Sequence, residues 1–180
     1  MSNIFLISDT HWGHQGSVVF TNYDGSKMRP WDNVEDMDQA MVDNWNRVVG
    51  PKDKVYHLGD VVINRRALPI NARLNGDKVL IKGNHDLFRL EEYIPYFRDI
   101  RGSHKLDNFI LTHIPLHPAS LVRWTSGNIH GHTHGEQVRK EDGAIDLRYM
   151  CVSVEQINFT PISFEDAKKK FLERIQLCTP

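Results

Sequence analysis

The chain has 180 residues, a length typical of one domain and sufficient to bury a hydrophobic core without disulfide or metal staples. Hydrophobic residues make up 40% and charged residues 25% of the chain, which excludes a disordered, collagen-like or coiled-coil protein. Lys and Arg total 22 against 23 for Asp and Glu, so the net charge of −1 offers no extended basic surface to a long polyanion. The ten histidines stand out, because only two cysteines accompany them.

The sequence indicates a cytoplasmic protein. Its first apolar run, Ile4–Ile7, is too short for a signal peptide and follows no basic region. No apolar stretch approaches the ~20 residues that cross a bilayer, so we expect no membrane association. Two cysteines are too few for a disulfide scaffold.

Predicted strands and helices alternate in the first half of the chain. Short runs rich in Val, Ile and Leu predict strands at residues 4–7, 55–58 and 79–81. Between the first two, apolar residues at helical spacing predict a helix that begins after Asp32 as N-cap and ends at Gly50-Pro51. Weaker helical patterns cover residues 67–74 and 87–93.

Predicted strands dominate the second half of the chain. They cover residues 109–111 and 128–129, with further strand between residues 144 and 162, for example 151–154 and 159–162. A last helix begins at Ser163. This order predicts a layered α/β architecture, and we expect a single domain over residues 1–180 because repeats, linkers and low-complexity tracts are absent from the sequence.

Polar clusters follow five of these predicted strands at their carboxyl ends. The clusters contain Asp9 and His11, then Asp60, then Asn84 with His85 and Asp86, then His113, and last His132 with His134. Ligands bind outside the carboxyl ends of strands in open α/β sheets, so we expect the five clusters to form one site. Residues two apart, such as His132 and His134, do not lie on one face of a helix. At a strand end or in a tight loop, their side chains can converge.

The residue types in these clusters favour two metal ions. Asp, Asn and His without thiolates form a mixed oxygen and nitrogen donor set, which suits Mn, Fe, Ni, Zn or Mg better than Cu(I) or an iron–sulfur cluster. The candidate ligands exceed the needs of one ion: Asp9, His11, Asp60, Asn84, His113, His132 and His134. Two ions about 3.5–4 Å apart recur in phosphate ester cleavage. Gly83 and Gly131 are expected where the backbone passes close to ions or phosphate.

The ordered clusters resemble the five motifs of the calcineurin-like metallophosphoesterases. The matching segments are Asp9-x-His11, Gly59-Asp60, Gly83-Asn84-His85-Asp86, Thr112-His113 and Gly131-His132-x-His134. The resemblance implies an α/β fold, a four-layer α-β-β-α sandwich of two packed mixed sheets flanked by helices. It also implies a small member of the family, because the 18 residues between His113 and His132 leave no room for a large cap domain, and we expect an open site.

The resemblance further implies a role for each matched residue. Asp9, His11, Asp60 and His134 would hold one ion, and Asp60, Asn84, His113 and His132 the other, with Asp60 bridging. His85 would protonate or stabilise the leaving oxygen, and Asp86 would orient His85. The nucleophile would be a hydroxide that bridges the two ions, attacking phosphorus in line. Mn²⁺ is the expected divalent ion, with Fe, Ni, Zn and Mg as alternatives.

Residues for substrate recognition are less sharply indicated. Arg65 and Arg66 follow the Gly59-Asp60 motif and are candidate phosphate contacts, while Arg123 lies in the loop before His132. Trp12 lies within the first motif and would either stack on a base or cover the site. The remaining histidines are expected behind the ligands (His57, His130), at the rim (His14, His117) or on the surface (His104).

We therefore expect a metal-dependent phosphoesterase that acts on a small, nucleotide-like phosphoester and favours phosphodiesters over monoesters. A nuclease is an alternative, less favoured because the chain is neutral overall. A catalytically silent scaffold of the same fold is another, disfavoured because His85 and all candidate ligands are present. The sequence does not indicate an oligomeric state.

Overall fold

The computed structural model describes residues 2–22, 24–121 and 125–177. It contains nine strands and three α-helices within those residues. The elements are, in chain order, β1 (Ile4–Ile7), α1 (Val34–Val48), β2 (Lys54–His57), β3 (Asp77–Ile81), α2 (Leu90–Tyr93), β4 (Asp99–Arg101), β5 (His104–Leu106), β6 (Phe109–Leu111), β7 (Gly127–His130), β8 (Tyr149–Cys151), β9 (Ile162–Ser163) and α3 (Phe164–Leu177). Short 3-10 helices cover Gln15–Val18, Arg65–Arg73, Pro118–Ser120 and Val154–Ile157.

The strands form two mixed sheets. The first has the order β4-β3-β2-β1-β9, in which β1 to β4 are parallel and β9 is antiparallel to β1. The second has the order β5-β6-β7-β8, in which β5 is antiparallel to β6 and the others are parallel. The parallel strands are largely buried, as their runs of Val, Ile and Leu predict. Their carboxyl ends lie at one edge of each sheet, which brings the loops that follow them together.

The predicted fold class is confirmed: the two mixed sheets pack together and helices accompany them. A bridge between Ser8 and Ser153 joins the chain just after β1 to the chain just after β8. On α3, Phe171 packs edge-to-face on Phe109 of β6, with ring centroids 5.0 Å apart. On α1, the ring of Trp45 stacks 6.5 Å from that of His57 at the end of β2.

Several element boundaries differ from the prediction. Asn33, not Asp32, caps α1, because the Asn33 side chain accepts the backbone N–H of Asp36 whereas Asp32 pairs with Lys27 at the surface. The segment predicted as strand at residues 151–154 is strand only to Cys151 and then turns into a 3-10 helix. Strands β4 and β5 were not predicted, since both are short, polar and only half-buried. None of the helices in the described residues is long and apolar enough to span a bilayer.

Candidate metal centre

Two groups of three side chains face one another where the sheet loops meet. Asp9, His11 and His134 form the first group, and Asp60, His113 and His132 form the second. Within each group, one potential ligand atom from each residue lies within 4.8 Å of the others. The residues come from the loops after β1, β2, β6 and β7, so the parallel strand ends place them as the sequence predicts.

The carboxylate of Asp60 lies between the two groups. Its Oδ1 is 3.4 Å from Nε2 of His113, and its Oδ2 is 3.7 Å from Nε2 of His11 in the first group. Asn84 also lies at the second group, where its Oδ1 is 2.8 Å from Nε2 of His113. The structure therefore brings all the sequence-predicted ligands together, with Asp60 in the position that a bridging ligand requires.

The two carboxylate oxygens of Asp9 have different surroundings. Oδ2 accepts hydrogen bonds from the Ser153 hydroxyl at 2.7 Å and from the backbone N–H of His132 at 2.9 Å. Oδ1 is buried without a hydrogen-bond partner among the described residues and lies 3.9 Å from Nε2 of His134. A buried carboxylate oxygen without a donor is costly, and a divalent cation held by the first group would satisfy it. The donor set and this oxygen both fit a metal ion.

Hydrogen bonds to Nδ1 direct the Nε2 atoms of two histidines toward the centre. His113 Nδ1 donates to the carbonyl oxygen of Leu58 at 2.7 Å. His134 Nδ1 donates to Oε1 of Glu155 at 3.1 Å. In each ring Nε2 is then the nitrogen that faces the other predicted ligands, and the partner of Nδ1 fixes the orientation of the imidazole.

The electrostatics of the centre favour cations. Burial alone would lower the pKa of His113, but the hydrogen bond and negative charge of Asp60, together with Asp9, raise it. Burial alone would also lower the pKa of His134. The hydrogen bond and negative charge of Glu155 outweigh burial, so the pKa of His134 is raised as well. Burial alone would raise the pKa of Asp60. His113 and the surrounding hydrogen-bond donors lower it by more, so the pKa of Asp60 is about 2. The Asp60 carboxylate therefore stays ionised and attracts positive charge.

The backbone is left-handed at most of the predicted ligands. Of the eight non-glycine residues with positive φ in the described chain, five are predicted ligands: Asp9, His11, Asp60, His132 and His134, with φ between 47° and 69°. This conformation costs about 1–2 kcal/mol per residue, although Asp, Asn and His adopt it more readily than most. Such outliers cluster at functional sites because the surrounding fold holds them there.

Glycines allow the loops to approach the carboxylates closely. A Cβ at Gly83 would lie 2.3 Å from Oδ1 of Asp60, and a Cβ at Gly131 would lie 2.6 Å from Oδ2 of Asp9. These distances exclude any side chain. Close approach of the backbone is present at both glycines, and the contacts that require it are with Asp60 at Gly83 and with Asp9 and the Ser8 hydroxyl at Gly131.

His85 lies beside the ligands and is 48% exposed at its side chain. Its Nε2 is 4.0 Å from Oδ2 of Asp60, and its ring is 5.7 Å from that of His11. This position leaves the imidazole accessible to a molecule bound at the centre.

The predicted role of Asp86 in orienting His85 is wrong. Asp86 is completely buried, and its carboxylate accepts three backbone N–H groups, from Asp60, Val61 and Gly83, at 2.8 to 2.9 Å. Burial raises the pKa of Asp86 despite those donors. Asp86 therefore joins the loops after β2 and β3 and positions the ligand Asp60 through its backbone.

The candidate substrate contacts that the structure describes have different surroundings, and the roles of Arg65 and Arg66 stay predictions. Trp12 is 0% exposed within the hydrophobic core, so its prediction as a substrate contact is wrong. Arg65 is exposed, pairs with Glu92 at 2.8 Å and lies over the ring of Phe88. Arg66 is exposed on the same 3-10 helix. Arg123 lies outside the described residues.

Sequence reasoning missed a buried arginine that supports the centre. Arg29 is 1% exposed and donates to the carbonyl oxygens of Asp9 and Thr10 at 2.7 and 2.9 Å. Its Nε donates to Oε1 of Glu155 at 2.8 Å, the same oxygen that accepts from His134. Nothing local marks these residues, since Arg29 and Glu155 are 126 positions apart and follow no strand motif.

Two cavities adjoin the centre and share Met28 and His134 in their walls. The first, of about 290 Å³, also contains His11 and His85. The second, of about 550 Å³, is lined by polar residues that include Thr133 and Glu136. A molecule bound at the centre would have room for substituents in both cavities.

Comparisons with known proteins agree with this site. Residues 2–150 match the family model of the calcineurin-like phosphoesterase superfamily domain. The uncharacterized protein MJ1445 of Methanocaldococcus jannaschii is 36% identical over 174 residues, covering 92% of this chain and 89% of the relative. The gene 66 protein of Mycobacterium phage D29 is 29% identical, with 77% of this chain and 82% of the relative covered.

A solved structure has the same fold. The protein of unknown function AQ665 from Aquifex aeolicus superimposes with a TM-score of 0.68 at 24% identity, covering 94% of this chain and 99% of that chain. The chain thus belongs to the calcineurin-like phosphoesterase superfamily. Membership and the two ligand groups together support a metal-dependent phosphoester hydrolase that binds divalent metals.

Proposed function

We propose that the protein hydrolyses small phosphodiesters with two divalent metal ions, for which Mn²⁺ is the first candidate. The observation that supports this proposal is the position of Asp60 between two groups of ligands, with His85 beside it. Two bound ions supply positive charge to the phosphoryl oxygens and lower the pKa of water, which makes water a nucleophile near neutral pH.

The residues of the chain hold this arrangement rigid. Asp86 fixes the backbone at Asp60, while Ser153 and the N–H of His132 fix one oxygen of Asp9. Fixed ligands keep the positive charge where negative charge develops in the transition state, so little reorganisation is needed during the reaction.

His85 is the proposed general acid. Attack of a water oxygen on phosphorus breaks the bond from phosphorus to the leaving oxygen, and that oxygen then needs a proton. His85 is exposed beside the centre and would donate the proton from Nε2, then recover one from solvent. The products are an alcohol and a phosphomonoester.

The surroundings support a diester over a monoester. A diester has two organic substituents and one negative charge, and two cavities adjoin the centre. In the described walls of both cavities the only arginine or lysine is Arg29, whose donors are engaged by Glu155 and backbone carbonyls. The second charge of a monoester would therefore find no further cation. For the same reason we do not favour nucleic acid as the substrate. The cytoplasmic location stays a prediction from the sequence.

The test is hydrolysis of bis-p-nitrophenyl phosphate with Mn²⁺, Fe²⁺, Ni²⁺, Zn²⁺ or Mg²⁺, with and without a chelator. We expect metal-dependent turnover that the chelator abolishes. Absence of turnover with every ion, or turnover that the chelator does not affect, would contradict the proposal. Faster hydrolysis of p-nitrophenyl phosphate would contradict the diester preference.

The variant His85→Ala tests the acid separately. We expect kcat to fall by about 10²–10⁴-fold while both metals remain bound, as measured by elemental analysis. Loss of metal from this variant would show that His85 is a ligand instead. His117→Ala, which removes an exposed imidazole outside the two ligand groups, is the matched control and should retain activity.

A further inference from the structure

The smaller cavity opens directly onto the proposed reaction centre. Its wall includes His11 and His134 from the first ligand group and the exposed imidazole of His85. Its volume of about 290 Å³ lies at the lower end of the ~300–1,000 Å³ typical of pockets for small organic ligands. It therefore suits a single ring system better than an extended molecule.

Apolar side chains form the wall opposite these histidines. Phe20, Met28 and Ile63 converge on the cavity from separate segments of the chain. Phe20 and Ile63 remain 52% and 39% exposed although both are large and apolar. Single exposed apolar residues are common on protein surfaces, but here two of them line one concavity beside a candidate reaction site.

Aromatic surfaces continue from the metal centre into the cavity. The ring of His14 lies 6.2 Å from that of His11 and 6.0 Å from that of Phe20. Gly16 leaves the space that the His14 ring occupies, since a Cβ there would lie 2.6 Å from His14 Nε2. The three rings give the cavity faces on which a planar group would pack.

The cavity is unsuited to a second charged group. Arg29 is the only arginine or lysine of its described wall. Glu155 neutralises that guanidinium at 2.8 Å, and the carbonyl oxygens of Asp9 and Thr10 accept its remaining hydrogen bonds. An anion would find no free arginine or lysine in the described wall, whereas an uncharged group would displace water from apolar surface.

We propose that this cavity binds the leaving group of the substrate, an uncharged planar ring such as a phenyl group joined to the leaving oxygen. His85 determines which substituent of the diester occupies this cavity, because the group that would protonate the leaving oxygen forms part of its wall. The retained substituent of the diester then faces the more polar cavity of about 550 Å³. This assignment rests on the proposed phosphodiesterase function.

Two substrates that share a leaving group test the assignment. Methyl p-nitrophenyl phosphate and bis-p-nitrophenyl phosphate both release p-nitrophenol but retain different substituents. The variants Phe20→Ala and Ile63→Ala should lower kcat/KM for both substrates by a similar factor, about five- to tenfold, because each removes apolar contact with the same nitrophenyl ring. Val19→Ala, a neighbouring exposed apolar residue outside the described wall, should leave both values unchanged.

The other outcomes overturn the assignment. A fall confined to the bis-p-nitrophenyl ester would show that the cavity binds the retained substituent. No fall with either substrate would show that the cavity binds neither substituent. Metal content and melting temperature equal to those of the wild type confirm that the variants are folded, since both side chains are partly exposed.

A binding measurement separates this proposal from the proposed function. If the wild type hydrolyses neither substrate with any metal, the proposed function fails on its own. Titration of the protein with p-nitroanisole, an uncharged nitrophenyl ether, should still shift the ¹³C-methyl NMR signal of Ile63, which lines only the smaller cavity, while the signals of the core residues Ile7 and Ile81 stay in place. An unchanged Ile63 signal would overturn the pocket itself.

Discussion

At the scale of single residues, the orientation of His134 depends on a charge pair outside the recognised motifs. Glu155 accepts from Nδ1 of His134 and from Arg29 through the same oxygen. Burial raises the pKa of Glu155, but the hydrogen bond from His134 and the charge of Arg29 lower it to about 2. The carboxylate is therefore ionised at any working pH, and it makes the imidazole a stronger metal ligand.

The substitution Glu155→Gln keeps the shape of this side chain and removes its charge. We expect metal affinity at the first ligand group to fall by about 10–100-fold, because the imidazole loses its anionic partner. We also expect lower stability, because Arg29 loses its buried counter-charge. Calorimetric titration with Mn²⁺ should show one site weakened and the other unchanged.

Glu165→Gln on the exposed face of α3 is the control for that titration, since it removes one carboxylate far along the chain from the centre. Equal weakening of both sites in Glu155→Gln would indicate general loss of structure instead of misorientation of His134. Unchanged affinity at both sites would refute the positioning role of Glu155.

At the scale of elements, α1 orders the loop that contains His11. The buried face of α1 is apolar except for Asp38, whose Oδ2 accepts the backbone N–H of Gly13 at 2.9 Å. The other oxygen of Asp38 is buried without a described hydrogen-bond partner. Burial raises the pKa of Asp38 to about 6, although Gly13 and Arg29 oppose the rise.

This carboxylate should make the protein less stable as the pH rises. The folded state keeps the Asp38 proton up to about pH 6, whereas the unfolded chain loses it near pH 4, so stability falls between these values and the penalty persists above them. Asp38→Asn keeps an oxygen for Gly13 and removes the charge. At pH 7.5 we expect a gain in the free energy of unfolding of about 1–2 kcal/mol, and near pH 4 almost none.

Urea denaturation with a chelator present, at both pH values, measures this difference without a contribution from metals. Asp43→Asn on the exposed side of α1 is the matched control and should show little effect at either pH. A variant Asp38→Asn that is less stable than the wild type at pH 7.5 would contradict the interpretation.

At the scale of the whole molecule, the ligands were predictable because they belong to local patterns. Each follows a buried parallel strand, and parallel strands end at a common edge, so sequence position alone implies proximity. His57 and His130, predicted behind the ligands, are indeed buried. His104, predicted on the surface, is instead half-buried, with its ring stacked on that of Tyr56.

The features that were missed arise from contacts between distant segments. Arg29 and Glu155 are 126 positions apart and meet only in the folded protein, and the wall of the smaller cavity combines Phe20, Ile63 and His85. Trp12 shows the converse error. It lies inside a recognised motif, but its side chain is buried in the core instead of facing the site. Side-chain direction after a strand end depends on the loop backbone, which here is left-handed at Asp9 and His11.

The completed fold holds repulsive groups and strained backbone together at one place. Two carboxylates are buried near each other at the centre, and five predicted ligands adopt positive φ. The folded state therefore gains more from divalent cations than the unfolded chain, in which these groups are dispersed. Linkage then requires that metal raise the stability of the entire molecule.

Thermal unfolding with increasing Mn²⁺ measures this linkage. At a free metal concentration 100 times Kd, one site contributes about 2.7 kcal/mol, which raises the Tm of a domain this size by about 5–10 °C. Asp60→Asn, which removes the negative charge that lies between the two groups, should abolish most of the shift, because a cation in either group then loses an anionic neighbour. His117→Ala should retain the full shift, since that imidazole lies outside both groups. A Tm independent of every divalent ion, or an equal shift in Asp60→Asn, would show that the two groups do not bind metal as a unit.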